Sequence, residues 1–414
     1  MSAASSPTPS HAPLIANLIA QLAFGLLAMT ICLPSMQEWG ALFGSDQASV
    51  QLTFSGYVVA YGGLQLLYGP WSDRWGRKKV LMFGLTLAGI GSMLAALSPS
   101  LAWLTAARVL QGAGCAAGMV VGRAMVQDQF TGPERTRVMA YVGMAMGLIP
   151  PTATILGGQI HVRLGWQANF ALMAVLAVLL FVAAWKGLPD HKPATTAQPH
   201  WLGAMLASYA RLAREPSFPL FVLILAMTTG TFYAFLAGAP IVLGSYGVGP
   251  AGIGYYIMVV PLSYIVGNYL TTRLVHRTGD RAMMMIGQVF SVGGIALMLV
   301  LALANVDTPL AFALPLMLLG LGNGFLVPPA LTGTVGLVPA LAGSAAAVAG
   351  LAQQLMGAVG GYAVGLVPHE GAVNLGWLML GLGSVALAAQ VVLNRRRVVK
   401  PAPVRSSPDT CDGF

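Results

Sequence analysis

Charge is what this chain has least of. Only 8% of its 414 residues are Asp, Glu, Lys or Arg, against 57% apolar residues and a mean hydropathy of +0.75. A soluble domain carries roughly 25% charge, so an ordinary water-facing surface is excluded. Cysteine is also scarce. Cys32 and Cys115 fall in apolar segments and Cys411 in the tail, which excludes a disulfide framework. No Lys or Arg precedes Arg74, so the basic n-region of a cleavable signal peptide is missing. The chain has no His-Glu-x-x-His, no Gly-x-Ser-x-Gly and no Walker-type Gly-x4-Gly-Lys-Ser/Thr. It is therefore not expected to be an enzyme or to drive itself with ATP, and no cofactor or metal site is expected.

What is abundant is apolar length and glycine. Twelve apolar spans are expected at 14–36, 48–69, 78–98, 101–125, 136–160, 166–187, 217–243, 251–273, 282–304, 309–332, 343–367 and 372–394. Each reaches the ~20 residues that a helix needs to cross a bilayer. The fifth is the weakest as a plain helix because of Pro150 and Pro151. With 51 glycines in so apolar a chain, close helix–helix packing is expected. Of the 21 Lys and Arg, 18 fall in loops 2–3, 4–5, 6–7, 8–9 and the tail. The positive-inside rule then puts both termini in the cytoplasm. The net charge of +9 is this bias, so no nucleic-acid partner is implied.

The longest polar interruption divides the spans six and six. Expected domains are an N-terminal tail (1–13), a six-helix bundle (14–187), a linker (188–216), a second bundle (217–394) and a basic tail (395–414). Within the linker, Trp201, Leu202, Met205, Leu206, Tyr209 and Leu212 recur at helical spacing and read as an amphipathic helix on the leaflet; a solvated linker is the plainer alternative. Arg277-Thr278-Gly279-Asp280-Arg281 falls in loop 8–9 where Arg74-Trp75-Gly76-Arg77-Lys78 falls in loop 2–3. In that register His276 stands in place of Asp73.

Loop 2–3 holds the densest polar pattern, Gly69-Pro70-Trp71-Ser72-Asp73-Arg74-Trp75-Gly76-Arg77-Lys78-Lys79. Asp73 and Arg77, four apart, can pair on a helix. Span 4 carries Arg108 and Gln111 on one face. A cation inside a membrane helix faces a cavity or a partner, or else snorkels to the interface. The loop pattern resembles the loop 2–3 motif of the major facilitator superfamily, and Arg108 to Gly112 is similar to that family's helix-4 motif. The resemblance implies a twelve-helix fold in two pseudo-symmetric halves, with substrate bound between them. It also implies a gating charge cluster of Gly69, Asp73, Arg74, Gly76, Arg77 and Asp128 that latches the outward-facing state.

Span 5, with Gly143, Gly147, Pro150, Pro151, Gly157 and Gly158, resembles the helix-5 motif of antiporters in this superfamily. Val50-Gln51-Leu52-Thr53, Gly122-Arg123-Ala124-Met125-Val126-Gln127-Asp128, Phe232-Tyr233-Ala234-Phe235 and Ala342-Gly343-Ser344-Ala345-Ala346-Ala347 resemble the bicyclomycin/chloramphenicol-resistance branch of drug:proton antiporters. That branch carries an acid in helix 1 before a Leu-Pro pair. Here Thr30 takes the place of the acid, and no Asp or Glu lies near the middle of any span. Glu38 and Asp128 are the remaining proton-coupling candidates.

Candidate cavity residues are Thr30, Tyr57, Tyr61, Gln65, Arg108, Gln111, Tyr233, Tyr256, Asn268, Asn323 and Gln353. One Arg among tyrosines and amides suits a neutral or weakly anionic amphiphile better than a cation. The expectation is a secondary transporter of the bacterial inner membrane, working as a monomer with a small-molecule substrate and protons. An uncoupled facilitator or importer is the alternative, and an intramembrane enzyme a remote one.

Overall fold

The computed structural model describes residues 12–189, 201–338, 341–368 and 371–395, with backbone alone for 132, 133, 136, 140 and 201–206. The tails expected at 1–13 and 395–414 lie almost wholly outside these residues, as does the start of the linker. Among the described residues the chain forms twelve long helical spans. The first six are Ala12–Phe43, Gln47–Trp75, Arg77–Ala96, Leu101–Gln129, Gly132–Leu164 and Gln167–Gly187. The second six are Phe218–Ser245, Pro250–Thr278, Asp280–Leu303, Pro309–Gly336, Ala342–Leu366 and Val373–Arg395. They are numbered spans 1 to 12 below. Ten are long and apolar enough to cross a membrane. Spans 2 and 11 are as long but richer in small and polar residues, and those two pack on each other.

Proline dictates where the spans break. A proline has no N–H for the carbonyl four residues earlier. Pro34 orphans Thr30, and the helix that begins at Ala12 ends at Thr30. A 3₁₀ turn, Leu33–Ser35, follows, and the helix resumes over Met36–Phe43, beyond the expected end of span 1. Pro261 stands four residues after Ile257, where the first piece of span 8 stops. Pro315 does the same to span 10, whose pieces are Pro309–Ala313 and Leu316–Gly336. Span 5 differs: it runs unbroken through Pro150 and Pro151.

The two halves repeat each other in detail. Gly44 and Gly247 turn the chain after spans 1 and 7 with φ of 61° and 80°, and Gly76 and Gly279 turn it after spans 2 and 8 with φ of 95° and 79°. Side chains rarely tolerate that region, which is why glycine stands there. Inside the bundles, a Cβ on Gly112 would stand 2.5 Å from the Tyr57 carbonyl oxygen, and one on Gly320 2.2 Å from that of Val260. A Cβ on Gly84 would stand 2.8 Å from the Gly114 carbonyl, and one on Gly287 2.5 Å from that of Gly322. The same register aligns His276 with Asp73. Apolar side chains gain nothing by leaving lipid for another helix, so backbone contact through glycine supplies the packing.

The halves meet at the end away from basic loops 2–3, 4–5 and 8–9, called the far end here. Gly365 of span 11 lies so close to span 2 that a Cβ would be 2.5 Å from Ala48 Cα. Ser55 Oγ donates to the Ala358 carbonyl at 2.9 Å, and Gln51 Nε2 to that of Ala237 in span 7 at 3.2 Å. Span 5 meets span 8 where a Cβ on Gly158 would be 2.2 Å from the Pro250 carbonyl, and Gln159 Nε2 donates to Ala251 O at 3.3 Å. Toward the basic end, added Cβ atoms at Gly143, Gly343 and Gly350 meet nothing within 4 Å. This is the conformation closed at the far end. The helix Trp201–Ala213 runs beside spans 7 and 11, with Leu212 fully buried among Phe218, Ala345 and neighbouring apolar groups.

Overpacking a backbone contact costs ~1–3 kcal/mol or more. Gly114→Val, whose Cβ would fall 2.2 Å from Ala88 N, is expected to lower the melting temperature in detergent by several degrees. Gly381→Val, facing open space, should leave it unchanged. Equal melting temperatures for the two variants would contradict this packing.

Candidate functional site

Arg108 is completely buried, although it lies only a third of the way along span 4. It neither snorkels nor opens onto the space between the halves in this conformation. Its environment follows from the break in span 1. A helix leaves its last carbonyls without intrahelical partners, and the helix that ends at Thr30 leaves those of Ala28 and Met29. Arg108 Nη1 donates to Ala28 O at 2.8 Å, and Nη2 reaches Met29 O at 3.5 Å. The guanidinium therefore caps the helix and sits at the negative end of its dipole. It also donates to Gln111 Oε1, lies 4.2 Å from the centroid of the Tyr57 ring and 5.8 Å from that of Phe170. Gln111 Nε2 in turn donates to Ser92 Oγ at 2.8 Å. None of these partners is a carboxylate. Thr30, at the place of the expected acid, is buried and donates its hydroxyl to Leu26 O at 2.9 Å.

In loop 2–3 the charged side chains converge on Arg77, within the N-terminal half. Arg77, in the first turn of span 3, pairs with Asp73 at 2.5 Å and Asp128 at 3.1 Å, and donates to Ser72 Oγ at 2.6 Å. Spans 2, 3 and 4 are thereby tied at the basic end. Gly76 supplies the turn, and a Cβ on Gly69 would make only an ordinary 3.8 Å contact with Val120. The cluster is complete while the far end is shut.

The cavity candidates scatter. Tyr57 is buried against span 1 and donates to Gly25 O at 2.7 Å, with Tyr61 stacked on it 5.9 Å away. Asn323 accepts from Ser291 at 3.1 Å between spans 9 and 10. Gln353 donates to Thr229 Oγ1 at 3.1 Å within the C-terminal half. Gln65, Tyr256 and Asn268 are partly buried, and Tyr264 hydrogen-bonds Asn268. Tyr233 does reach the other half: its ring stands edge-on to Phe54 at 5.8 Å, and its hydroxyl bonds Gln354 at 3.1 Å.

Polar groups outside the expected cavity set, Gln51, Ser55 and Gln354, line the contact between halves. Their signal was present. Ala48, Gln51, Ser55, Gly62 and Gly69 recur at spacings of three, four and seven on one face of span 2. His161, buried at the far end of span 5 and 3.0 Å from Glu38, is likewise outside the expected set. On span 5, Gly157 and Gly158 pack on spans 1 and 8, Gly147 approaches Ile265, and Gly143 is free.

Substitutions at two positions separate structural from gating roles. Arg108→Ala would leave Ala28 O, Met29 O and Gln111 Oε1 short of donors, each worth ~1–3 kcal/mol when buried. It is expected to lower the melting temperature markedly, with Arg108→Lys intermediate because a point charge cannot replace the fork. An unchanged melting temperature in Arg108→Ala would contradict the capping role. Asp73→Asn removes a half-exposed pair worth ~0–1 kcal/mol. It should leave the melting temperature alone while reducing transport, and wild-type transport would remove Asp73 from the gate.

The family model described as Major Facilitator Superfamily matches residues 14–361. A chloramphenicol resistance protein of Pseudomonas aeruginosa is 28% identical over 385 residues, covering 92% of this chain and 91% of that protein. Multidrug resistance protein D of Escherichia coli is 26% identical over 399 residues, covering 94% and 98%. Among solved structures, a peptide transporter, POT, in complex with sulfate superposes with a TM-score of 0.74 at 15% identity, covering 92% of this chain and 93% of that one, a likeness of fold alone. The family match spans most of the chain, and the twelve spans in two repeated halves agree with it: this chain belongs to the Major Facilitator Superfamily and is a multi-pass membrane transporter.

Proposed function

We propose that the protein exports small amphipathic compounds across a bacterial inner membrane by alternating access, in exchange for protons, with its basic end and both termini in the cytoplasm. One observation carries the reading. Span 11 presents Gly343, Ala347, Gly350, Gln354, Ala358, Gly361 and Gly365 on one continuous face. At the far end Gly365 meets the backbone of span 2 and Gly361 its Phe54 side chain, while Gly343 and Gly350 face open space. On span 2 the matching face runs from Ala48 to Gly69. A contact surface that continues past the present contact is what two halves need to rock between two closed states. The named relatives supply the direction and the substrate class: chloramphenicol resistance and multidrug resistance.

Charge narrows the class. Arg108 brings a full positive charge into the N-terminal half, and the acids of the chain lie in or beside loops, away from the middle of the spans. A cation entering between the halves meets repulsion that no interior acid offsets, whereas a neutral amphiphile does not. Chloramphenicol, a neutral amphiphile, is the probe of choice. Expression in an efflux-deficient host should raise resistance to it more than to ethidium, a permanent cation. The reverse order would overturn the substrate class.

Exchange for protons is tested with the purified protein in liposomes. Chloramphenicol should move uphill when a pH gradient is imposed and only equilibrate without one. Thr30 in place of the helix-1 acid favours a second reading, an uncoupled facilitator, and flux indifferent to the pH gradient would establish it. The rocking face makes a further paired prediction. Gly365→Val crowds the far contact, and Gly350→Leu crowds only the alternative one. Both should abolish transport, but only Gly365→Val should make a cysteine at buried Ser55 react with an impermeant maleimide, by roughly tenfold. Normal transport in Gly350→Leu would contradict the second closed state.

A further inference from the structure

We propose that His161 and Glu38 form a proton-operated latch on the far gate, which favours the closed state when His161 takes up a proton from the outer solution. The inference rests on the alternating-access reading and its orientation, and goes beyond them by naming a proton site. His161 Nε2 lies 3.0 Å from Glu38 Oε2, and Nδ1 lies 3.0 Å from Ser35 Oγ. Asn169 Nδ2 donates to the same Ser35 oxygen at 3.3 Å and to Gly157 O at 3.1 Å. His161 is 9% exposed, whereas the Glu38 side chain is 53% exposed.

The group is built to hold either form of the ring. A neutral imidazole with its proton on Nε2 donates to Glu38, while the Ser35 hydroxyl donates to Nδ1. An imidazolium donates from both nitrogens, and the Ser35 oxygen turns from donor to acceptor. Protonation thus costs no hydrogen bond at either nitrogen and converts the bond to Glu38 into a charge-assisted ion pair. Histidine is the side chain suited to making this change near neutral pH.

The location ties that pair to the gate. Glu38 lies on the resumed part of span 1, whose Gln37 packs on Gly244 of span 7. His161 is one helical turn beyond Gly157, where a Cβ would meet the Ile31 carbonyl, and Gly158 beside it packs on Pro250 of span 8. The pair therefore joins two of the three elements of the N-terminal half that touch the C-terminal half at the far end, the third being span 2. Other titratable or charged groups on these elements are few. Toward the far end, span 1 carries Cys32, with Asp46 just after it, and span 5 carries Arg163, which is exposed; the other charges of span 5, Glu134, Arg135 and Arg137, lie at its basic end. The start of span 6 has none, span 7 is followed by Tyr246, and span 8 begins with Tyr255 and Tyr256. Among these, Glu38 is the carboxylate bonded to the ring. Because Glu38 faces the outer solution while the far end is shut, its proton exchanges with that side in the closed state. This suits a sensor of outer pH rather than a carrier across the membrane.

The test reads the gate itself. Spin labels at Leu97→Cys and Leu303→Cys, 70% and 54% exposed at the far ends of spans 3 and 9, report the separation of the halves in a background without the native cysteines. In wild type the closed population should rise roughly fivefold relative to the open one between pH 8 and pH 5.5. His161→Gln and, independently, Glu38→Gln should flatten this response. Glu38 is half-exposed, so its variant is expected to fold even if His161→Gln does not. A distance distribution indifferent to pH in wild type, or a response that survives in Glu38→Gln, overturns the latch. Chloramphenicol flux is measured on the same preparations. A pH response without export would leave the latch standing and remove the substrate reading alone.

Discussion

The arrangement turns on one buried contact, the guanidinium of Arg108 against the carbonyls that end the first helix. Pro34 breaks span 1 inside the membrane, where exposed backbone carbonyls have no water to turn to. A lone buried cation is equally unwelcome there. Each solves the other's problem: the helix end supplies the negative pole and acceptors, and Arg108 supplies the donors. Tyr57 and Phe170 close over the faces of the fork. The break then becomes affordable and useful. The helix resumes at Met36 in a new direction, and that short piece brings Gln37 to span 7 and Glu38 to His161. Without the cap, the far gate would lose the element that links it to the core of the N-terminal half.

This contact also explains why the chain can dispense with an acid in helix 1. A carboxylate at that place would neutralise the arginine by an ion pair. Here Thr30 bonds back to Leu26, and the helix end takes over the role of counter-charge. About half a unit of charge at a helix terminus offsets only part of a full one. The N-terminal half therefore keeps a residual positive interior, and its electrostatics differ from those of a half with a buried acid. The proposed preference for neutral substrates rests on this residual charge.

The fold was legible because the membrane imposes a length. Apolar runs of about twenty residues located all twelve helices, and even spans 2 and 11 stood out against their polar flanks. Gly76 and Gly279 revealed the repeat because only glycine serves at their φ. The roles of polar side chains were far less legible. Tyr57 and Tyr61 lie on one stripe of span 2 and were read as cavity-lining, yet that stripe faces span 1. A helix has several faces, and periodicity marks a stripe without saying which neighbour it meets. His161 carried no local signal at all, since its partner Glu38 lies 123 residues away. Arg108 was singled out for its cost, but its partners are backbone carbonyls, which every residue possesses and no sequence pattern distinguishes.

Glycine connects the static packing to motion. Within each half, glycines on spans 3 and 4, and again on 9 and 10, bring backbones into contact from which no rotamer change offers relief. Those pairs make each half stiff. Between the halves the same residue acts differently, because its contacts occupy only part of the available face. Ser55 and Gln51 donate across the interface to carbonyls of Ala358 and Ala237, and these few bonds are cheap to exchange compared with a buried apolar seam. Stiff halves whose contact includes such exchangeable bonds, beside apolar groups such as Phe54 and Tyr233, can move as units. A near match between the contacts of the two closed states is therefore a requirement of transport: a single ion pair gained or lost at Glu38 can shift the balance only under that condition.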